Sequence, residues 1–224
     1  MSANIFNLLM EATLQTLYMV AVSTVIGTLM GLPLGVFLAT SQRGEMLSKP
    51  FLNKVLGLIV NATRSVPFII LVVAIIPFTR AIAGTSIGTT AAIVPLTLAA
   101  VPFIARLVEN AIREVDSGLI EAARAMGATP LQIIRKVLIP EALPAITLGL
   151  TLAVVSLIGY SAMVGAVGGE GLGDLGIRYG YQRFMPSVMA AVVIILIVLV
   201  QLVQSIGERL AARVDKRAPK GRGQ

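Results

Sequence analysis

From Val188 to Val203 the chain carries one polar residue, Gln201. A run of this kind crosses the hydrocarbon core of a bilayer as a helix, because about 20 apolar residues, each rising about 1.5 Å, match its thickness. Backbone inside lipid must satisfy its own hydrogen bonds, so a span is a helix or part of a closed barrel. Helical spans are predicted at roughly 14–40, 55–79, 88–111, 142–166 and 187–207. The second contains Asn61, Arg64 and Pro67, and the third Pro95 and Pro102. Such breaks are tolerated where neighbouring helices or water satisfy the freed carbonyls. The expected fold class is all-α and integral to a membrane, with five transmembrane helices.

Composition narrows the chemistry. Of the 224 residues 13% are charged and 56% hydrophobic, whereas a soluble domain is about 25% charged. The chain has no Cys, His or Trp. Thiolate and imidazole metal sites, Ser-His-Asp and Cys-His nucleophile systems and disulfides are thereby excluded. No metal or cofactor is expected in this chain, and cysteine usage says nothing of the redox compartment.

The formal charge of +7 does not point to nucleic acid, because the basic residues cluster between apolar runs and form no stripe on a soluble face. That distribution marks the cytoplasmic side of a membrane protein. With five spans, one side collects Arg43, Lys49, Lys54, Arg64, Arg106, Arg113, Arg124, Arg135, Lys136, Arg209, Arg213, Lys216, Arg217, Lys220 and Arg222. The other holds Arg80, Arg178 and Arg183. The N-terminal segment 1–13 is therefore expected outside, with the central loop 112–141 and the basic tail 208–224 inside. No Lys or Arg precedes Arg43, so the first apolar run lacks the charged start of a secretory signal and is expected to remain in the mature chain. Five spans leave little room for a private water-filled path, and a C2 dimer with the path on its axis is the economical arrangement.

The polar island from Asp116 to Pro140 is punctuated as two short helices. Asp116 or Ser117 caps the first, about Leu119 to Met126, which ends at Gly127. Thr129, Pro130 and Gln132 open the second with a capping box and a first-turn proline. Pro140 is expected to stop it, and Pro144 to let the next span begin at an angle. Leu119, Ala122, Ala123 and Met126 fall at helical spacing on one shallow apolar face. Two readings of the island stand side by side: a loop lying on the membrane surface, and a docking helix for a soluble partner.

Here the residues resemble a known family. Glu121-Ala122-Ala123, Gly127 and the closing Leu138-Ile139-Pro140 are similar to the EAA loop of binding-protein-dependent ABC importer permeases. The resemblance continues through Arg64-Ser65-Val66-Pro67-Phe68-Ile69-Ile70-Leu71, Tyr160-Ser161-Ala162-Met163 and the tract from Gly168 to Phe184, which are similar to the methionine-uptake branch. Gly169-Glu170 departs from the smaller residues expected there. The resemblance implies a type I transmembrane domain over 14–207 with a cytoplasmic coupling helix. Glu121, Ala122, Ala123, Met126 and Gly127 would dock on an ATP-hydrolysing subunit. It implies a homodimer, two cytoplasmic ABC ATPase subunits, an extracytoplasmic substrate-binding protein and methionine, D or L, as cargo in the inner membrane. ATP and Mg would be bound by the ATPase, since the chain has no Walker A pattern. The chain itself is then not an enzyme.

Other features of the sequence also have plainer readings. Gly171, Gly173 and Gly176 satisfy G-x-G-x-x-G, but the motif follows an apolar span with no strand–turn–helix context. That outer loop, with Tyr179 and Tyr181, reads as a flexible interfacial segment. Arg64 is ionisable within a span and needs a partner; it either pairs with Glu109 at similar depth or snorkels to the inner interface. Tyr160, Ser161 and Met163 either plug a narrow path or pack a span end. The tail reads as an anchor to anionic lipids. Rival functions are a permease for another small amino acid or polar solute, a secondary transporter or channel, and an intramembrane enzyme. The absence of an evident repeat and of an intraspan Asp or His argues against the last two classes.

Overall fold

The computed structural model of the chain describes residues 3–42 and 46–215; Arg43, Lys216, Arg217, Lys220 and Arg222, counted above, lie outside them. Helix α1 runs Ala3–Thr40. It takes in most of the segment expected to precede the first span, because neither glycine nor proline interrupts the chain before Gly27. Its partner is α5, Thr89–Arg113, which holds Pro95 and Pro102 inside an otherwise continuous helix. Gly27, Gly31 and Gly35 form the seam. A Cβ on Gly27 would lie 2.7 Å from the Ala100 Cβ, and one on Gly31 would lie 2.8 Å from the Val101 carbonyl oxygen. Small residues at four-residue spacing let backbones approach where lipid supplies no hydrophobic drive.

The second predicted span is not one helix. It divides into α2 (Pro50–Ser65), α3 (Phe68–Ala74) and α4 (Ile76–Ala83). The chain bends by 103° between α2 and α3. Val66 is extended, at φ −82° and ψ 127°, a conformation that the ring of the following Pro67 favours. Four helices are long and apolar enough to cross a membrane among the described residues, and the bent pair would supply a fifth.

Helix α6 (Ser117–Ala125) is followed by α7 (Pro130–Ile133), a π-helical turn at Ile134–Leu138, and α8 (Ile139–Gly165). Pro140 does not stop the second loop helix. Pro130–Gly165 is continuous over 36 residues, because the π turn shifts the hydrogen-bond ladder around the missing proline N–H. Pro144 likewise lies inside α8.

The outer tract from Gly168 to Phe184 is helical, contrary to the flexible loop expected. It contains α9 (Gly171–Leu175) and a π segment, Gly176–Gln182, before α10 (Pro186–Val214). Its glycines serve packing: a Cβ on Gly173 would collide with the Ala162 backbone, and one on Gly180 would lie 2.9 Å from the Met189 side chain. Leu172 donates its N–H to Thr16 Oγ1 at 2.9 Å, and Gly171 to Gln15 Oε1 at 3.0 Å. Glu170, at φ +61°, accepts from Gln15 Nε2 at 3.1 Å and Thr89 Oγ1 at 2.9 Å. These bonds tie α9 to α1 and α5.

Met19, Leu96, Ile104, Val108, Ala153 and Leu157 fill the main core between α1, α5 and α8. Leu9, Leu172, Leu175, Val188 and Val192 form a second cluster under the outer tract. Leu29, Leu58, Ile194 and Leu202 remain exposed, as apolar side chains do on a surface solvated by lipid.

Candidate functional site

The loop between α5 and α8 is built by local capping. Asp116 Oδ1 accepts from the Gly118 N–H at 2.6 Å and starts α6. Gly127 ends it at φ +79°. The Gly127 N–H reaches the Arg124 carbonyl at 2.9 Å, and the Ala128 N–H reaches the Ala123 carbonyl at 3.1 Å. Together these bonds make a complete Schellman motif, which turns the chain sharply within three residues. Thr129 and Gln132 then cap each other reciprocally, at 2.9 and 3.4 Å, with Pro130 in the first turn.

The predicted apolar face is divided between two duties. Ala123 is 4% exposed and belongs to the core beside Ile133 and Ile134; it is not on the surface offered to a partner. Leu119, Ala122 and Met126 point outward, Met126 at 82% exposure, with Leu131 exposed beyond the turn. Glu121 and Gly127 are also exposed. The helix is thus anchored by Ala123 and the partly buried Ile120, while Leu119, Ala122 and Met126 are left uncovered by this chain.

Arg64 and Glu109 do not meet. Glu109, 2% exposed, is held by Arg106 Nη1 at 2.5 Å and by Arg113 Nη2, both on its own helix. Their spacings, three and four residues away, place them on the same face of α5. Arg106 also donates to Asn61 Oδ1 at 2.6 Å and so ties α2 to α5. Arg64 lies one turn further along α2, with its guanidinium carbon 6.0 Å from the Phe103 ring centroid.

The gate candidates also divide. Tyr160 stacks on Phe68, with ring centroids 4.4 Å apart and planes 13° from parallel. Met163, one turn on, is exposed at 46%. Ser161 is buried and donates to the Ile158 carbonyl at 2.7 Å, so it packs a helix instead of facing a path. Tyr160 and Arg64 share a cavity of about 150 Å³ with Thr63, Phe68, Leu71 and Phe103. Tyr160 and Arg64 lie far apart in the sequence, and the bend at Pro67 brings them to one cavity.

Helices with no strand among the described residues, several of them apolar and of bilayer length, with a bent helix pair and a capped polar loop, have the outline of a multi-pass membrane protein. Residues 31–216 match the family described as binding-protein-dependent transport system inner membrane component, and the chain belongs to that family. It is 59% identical over 211 residues to the probable D-methionine transport system permease protein MetI of Vibrio cholerae, covering 94% of each chain. It is 54% identical over 165 residues to the D-methionine transport system permease protein MetI of Escherichia coli K12, covering 74% of this chain and 76% of that one. Among solved structures it is similar to a chain of the MetNI methionine ABC transporter in an inward-facing conformation, with a TM-score of 0.94 and 51% identity. That match covers 96% of this chain and all of the other.

Proposed function

We propose that this chain is the membrane-spanning permease subunit of an ABC importer for methionine. It works as a homodimer with two cytoplasmic ATPase subunits and receives cargo from an extracytoplasmic binding protein. The relatives' substrate and the near-complete overlap with them support the cargo assignment. Five spans, with α2 and α3 together as the second, the N-terminus outside and the C-terminus inside, fit the distribution of basic residues.

The observation that carries the coupling role is the exposed face of α6, where Leu119, Ala122 and Met126 stand uncovered on a helix closed at both ends. A rigidly capped helix can transmit a push without unravelling, and its docking energy must differ between two states to do work. ATP-driven closure of the partner moves α6. Through the unbroken Pro130–Gly165 helix, that displacement reaches Tyr160 and Met163 and alternates access to the path. ATP and Mg belong to the partner, and this chain performs no chemistry.

Met126→Asp puts a charge where an apolar contact is needed. It should cut co-purification of the ATPase at least about tenfold while the permease still inserts and runs as a folded dimer. Undiminished co-purification and uptake would remove the coupling assignment. Radiolabelled methionine uptake into proteoliposomes, competed by other amino acids, tests the cargo; stronger competition by a different amino acid would replace methionine with it.

A further inference from the structure

We propose that Arg64, Thr63, Tyr160 and the Phe68 and Phe103 rings form a substrate site inside this subunit, one that holds the carboxylate and the apolar tail of the transported amino acid. The argument begins with charge. Arg64 has no hydrogen bond or ion pair among the described residues, and its nearest charge-stabilising neighbour is the face of Phe103. A guanidinium keeps its charge at any physiological pH, and Arg64 stands exposed in the last turn of α2, lining the cavity; an ionisable side chain in a span is by default a candidate for a solute path. The carboxylate expected to neutralise it, Glu109, is taken by Arg106 and Arg113. Among the described residues no Asp or Glu lines the cavity. The cavity therefore offers a cation without an anion and invites a carboxylate from solution.

The walls fit the rest of such a solute. Phe68 and Tyr160 are stacked beside the opening, and Phe103 lies beneath Arg64. A flexible thioether chain packs favourably against aromatic rings, with its sulfur near the ring edge. The Thr63 hydroxyl donates to the Ile59 carbonyl at 2.9 Å, so it spends its donor within α2 and lines the cavity beside Arg64 without binding the carboxylate. With no acidic side chain to meet an ammonium, the site reads the carboxylate and the tail and is indifferent to the amine. Its walls come from α2, α3, α5 and α8, so displacement of α8 against the Pro67 bend changes its width.

The site rests on the reading of the chain as a methionine permease, and the experiment separates the two. The chain has no cysteine, so Thr63→Cys introduces the one thiol of this subunit. The assembled importer carrying it, with binding protein and ATPase, is reconstituted in proteoliposomes and labelled with a small thiol reagent. Methionine and N-acetylmethionine, at roughly ten times their dissociation constants, should slow labelling about tenfold by occupancy. Methioninamide, with the same tail and no carboxylate, should leave the rate unchanged. Arg64→Gln should abolish the protection and Arg64→Lys should restore part of it. In uptake, R64Q should raise the half-saturating methionine concentration roughly tenfold to a hundredfold, the range of a lost charged hydrogen bond.

Four results would overturn the site: equal protection by methionine and methioninamide, protection that persists in R64Q, protection by anionic lipid regardless of solute, or a thiol that no reagent reaches. If R64Q fails to fold, the comparison of methionine with methioninamide at Thr63→Cys decides alone. Uptake of methionine by the unsubstituted importer is the separate control: its loss would sink the permease reading, whereas any of the four results beside intact uptake sinks the site only.

Discussion

Two neighbouring rungs join α2 to α5, and they are built in opposite ways. At the first, Asn61 meets Arg106, whose charge is spent on Glu109 together with that of Arg113. At the second, one turn along each helix, Arg64 meets only the ring of Phe103 beside an open cavity. The first rung is closed: a buried carboxylate, two guanidiniums and an amide satisfy one another. The second is open, with charge left over and space in front of it. Burial of a charge is tolerable only with partners in place, which Glu109 has; Arg64 is exposed beside its cavity and needs none to be tolerated, so the closed rung holds the helices together and the open one is free for a solute.

The largest test of that contrast is Glu109→Ala. It leaves Arg106 and Arg113 without their counter-charge; breaking a buried pair costs about 3–5 kcal/mol, and because the two guanidiniums left behind are 22% and 44% exposed, the loss here should fall at or below the lower end of that range. Thermal unfolding in detergent should show a clear fall in Tm and in the yield of monodisperse protein; an unchanged Tm would mean the rung is not closed by Glu109. Asn61→Ala removes one charge-assisted bond and should cost about 1.5–3 kcal/mol at most, with Arg106 still held by Glu109. Arg64→Ala should be the mildest for stability. It gives up a long cation–π contact worth about 0.5–1 kcal/mol, so Tm should barely move while transport suffers. A fall in Tm as large as that of Glu109→Ala would mean that Arg64 has a structural partner and that the second rung is closed as well.

Much of this fold is legible along the chain because its causes are local. The apolar segments, the Gly127 terminus and the Thr129–Gln132 capping box each depend on residues within a turn or two of one another. The pairing of Glu109 was legible in principle: Arg106 and Arg113 stand at i−3 and i+4 from it, a better claim than that of Arg64 on another helix. Gly27, Gly31 and Gly35 carried a second overlooked signal, the four-residue spacing that lets α1 and α5 touch. The division of the coupling face was not legible. Spacing alone puts Ala123 beside Ala122 and Met126, and only the position of α6 against Ile133 and Ile134 decides which of them is covered.

The sequence by itself determined that this chain lives in a bilayer, how its apolar stretches are distributed, and that a short capped helix interrupts them. Those properties follow from hydrophobic run length and backbone capping, which act over a few residues. Tertiary structure alone decided that Pro67 bends the chain sharply while Pro95, Pro102, Pro140 and Pro144 stay within helices, and that Arg64 shares a cavity with Tyr160. A proline removes one donor wherever it occurs; whether the helix bends or runs on depends on what neighbouring elements can pack against, and that is a property of the assembled molecule.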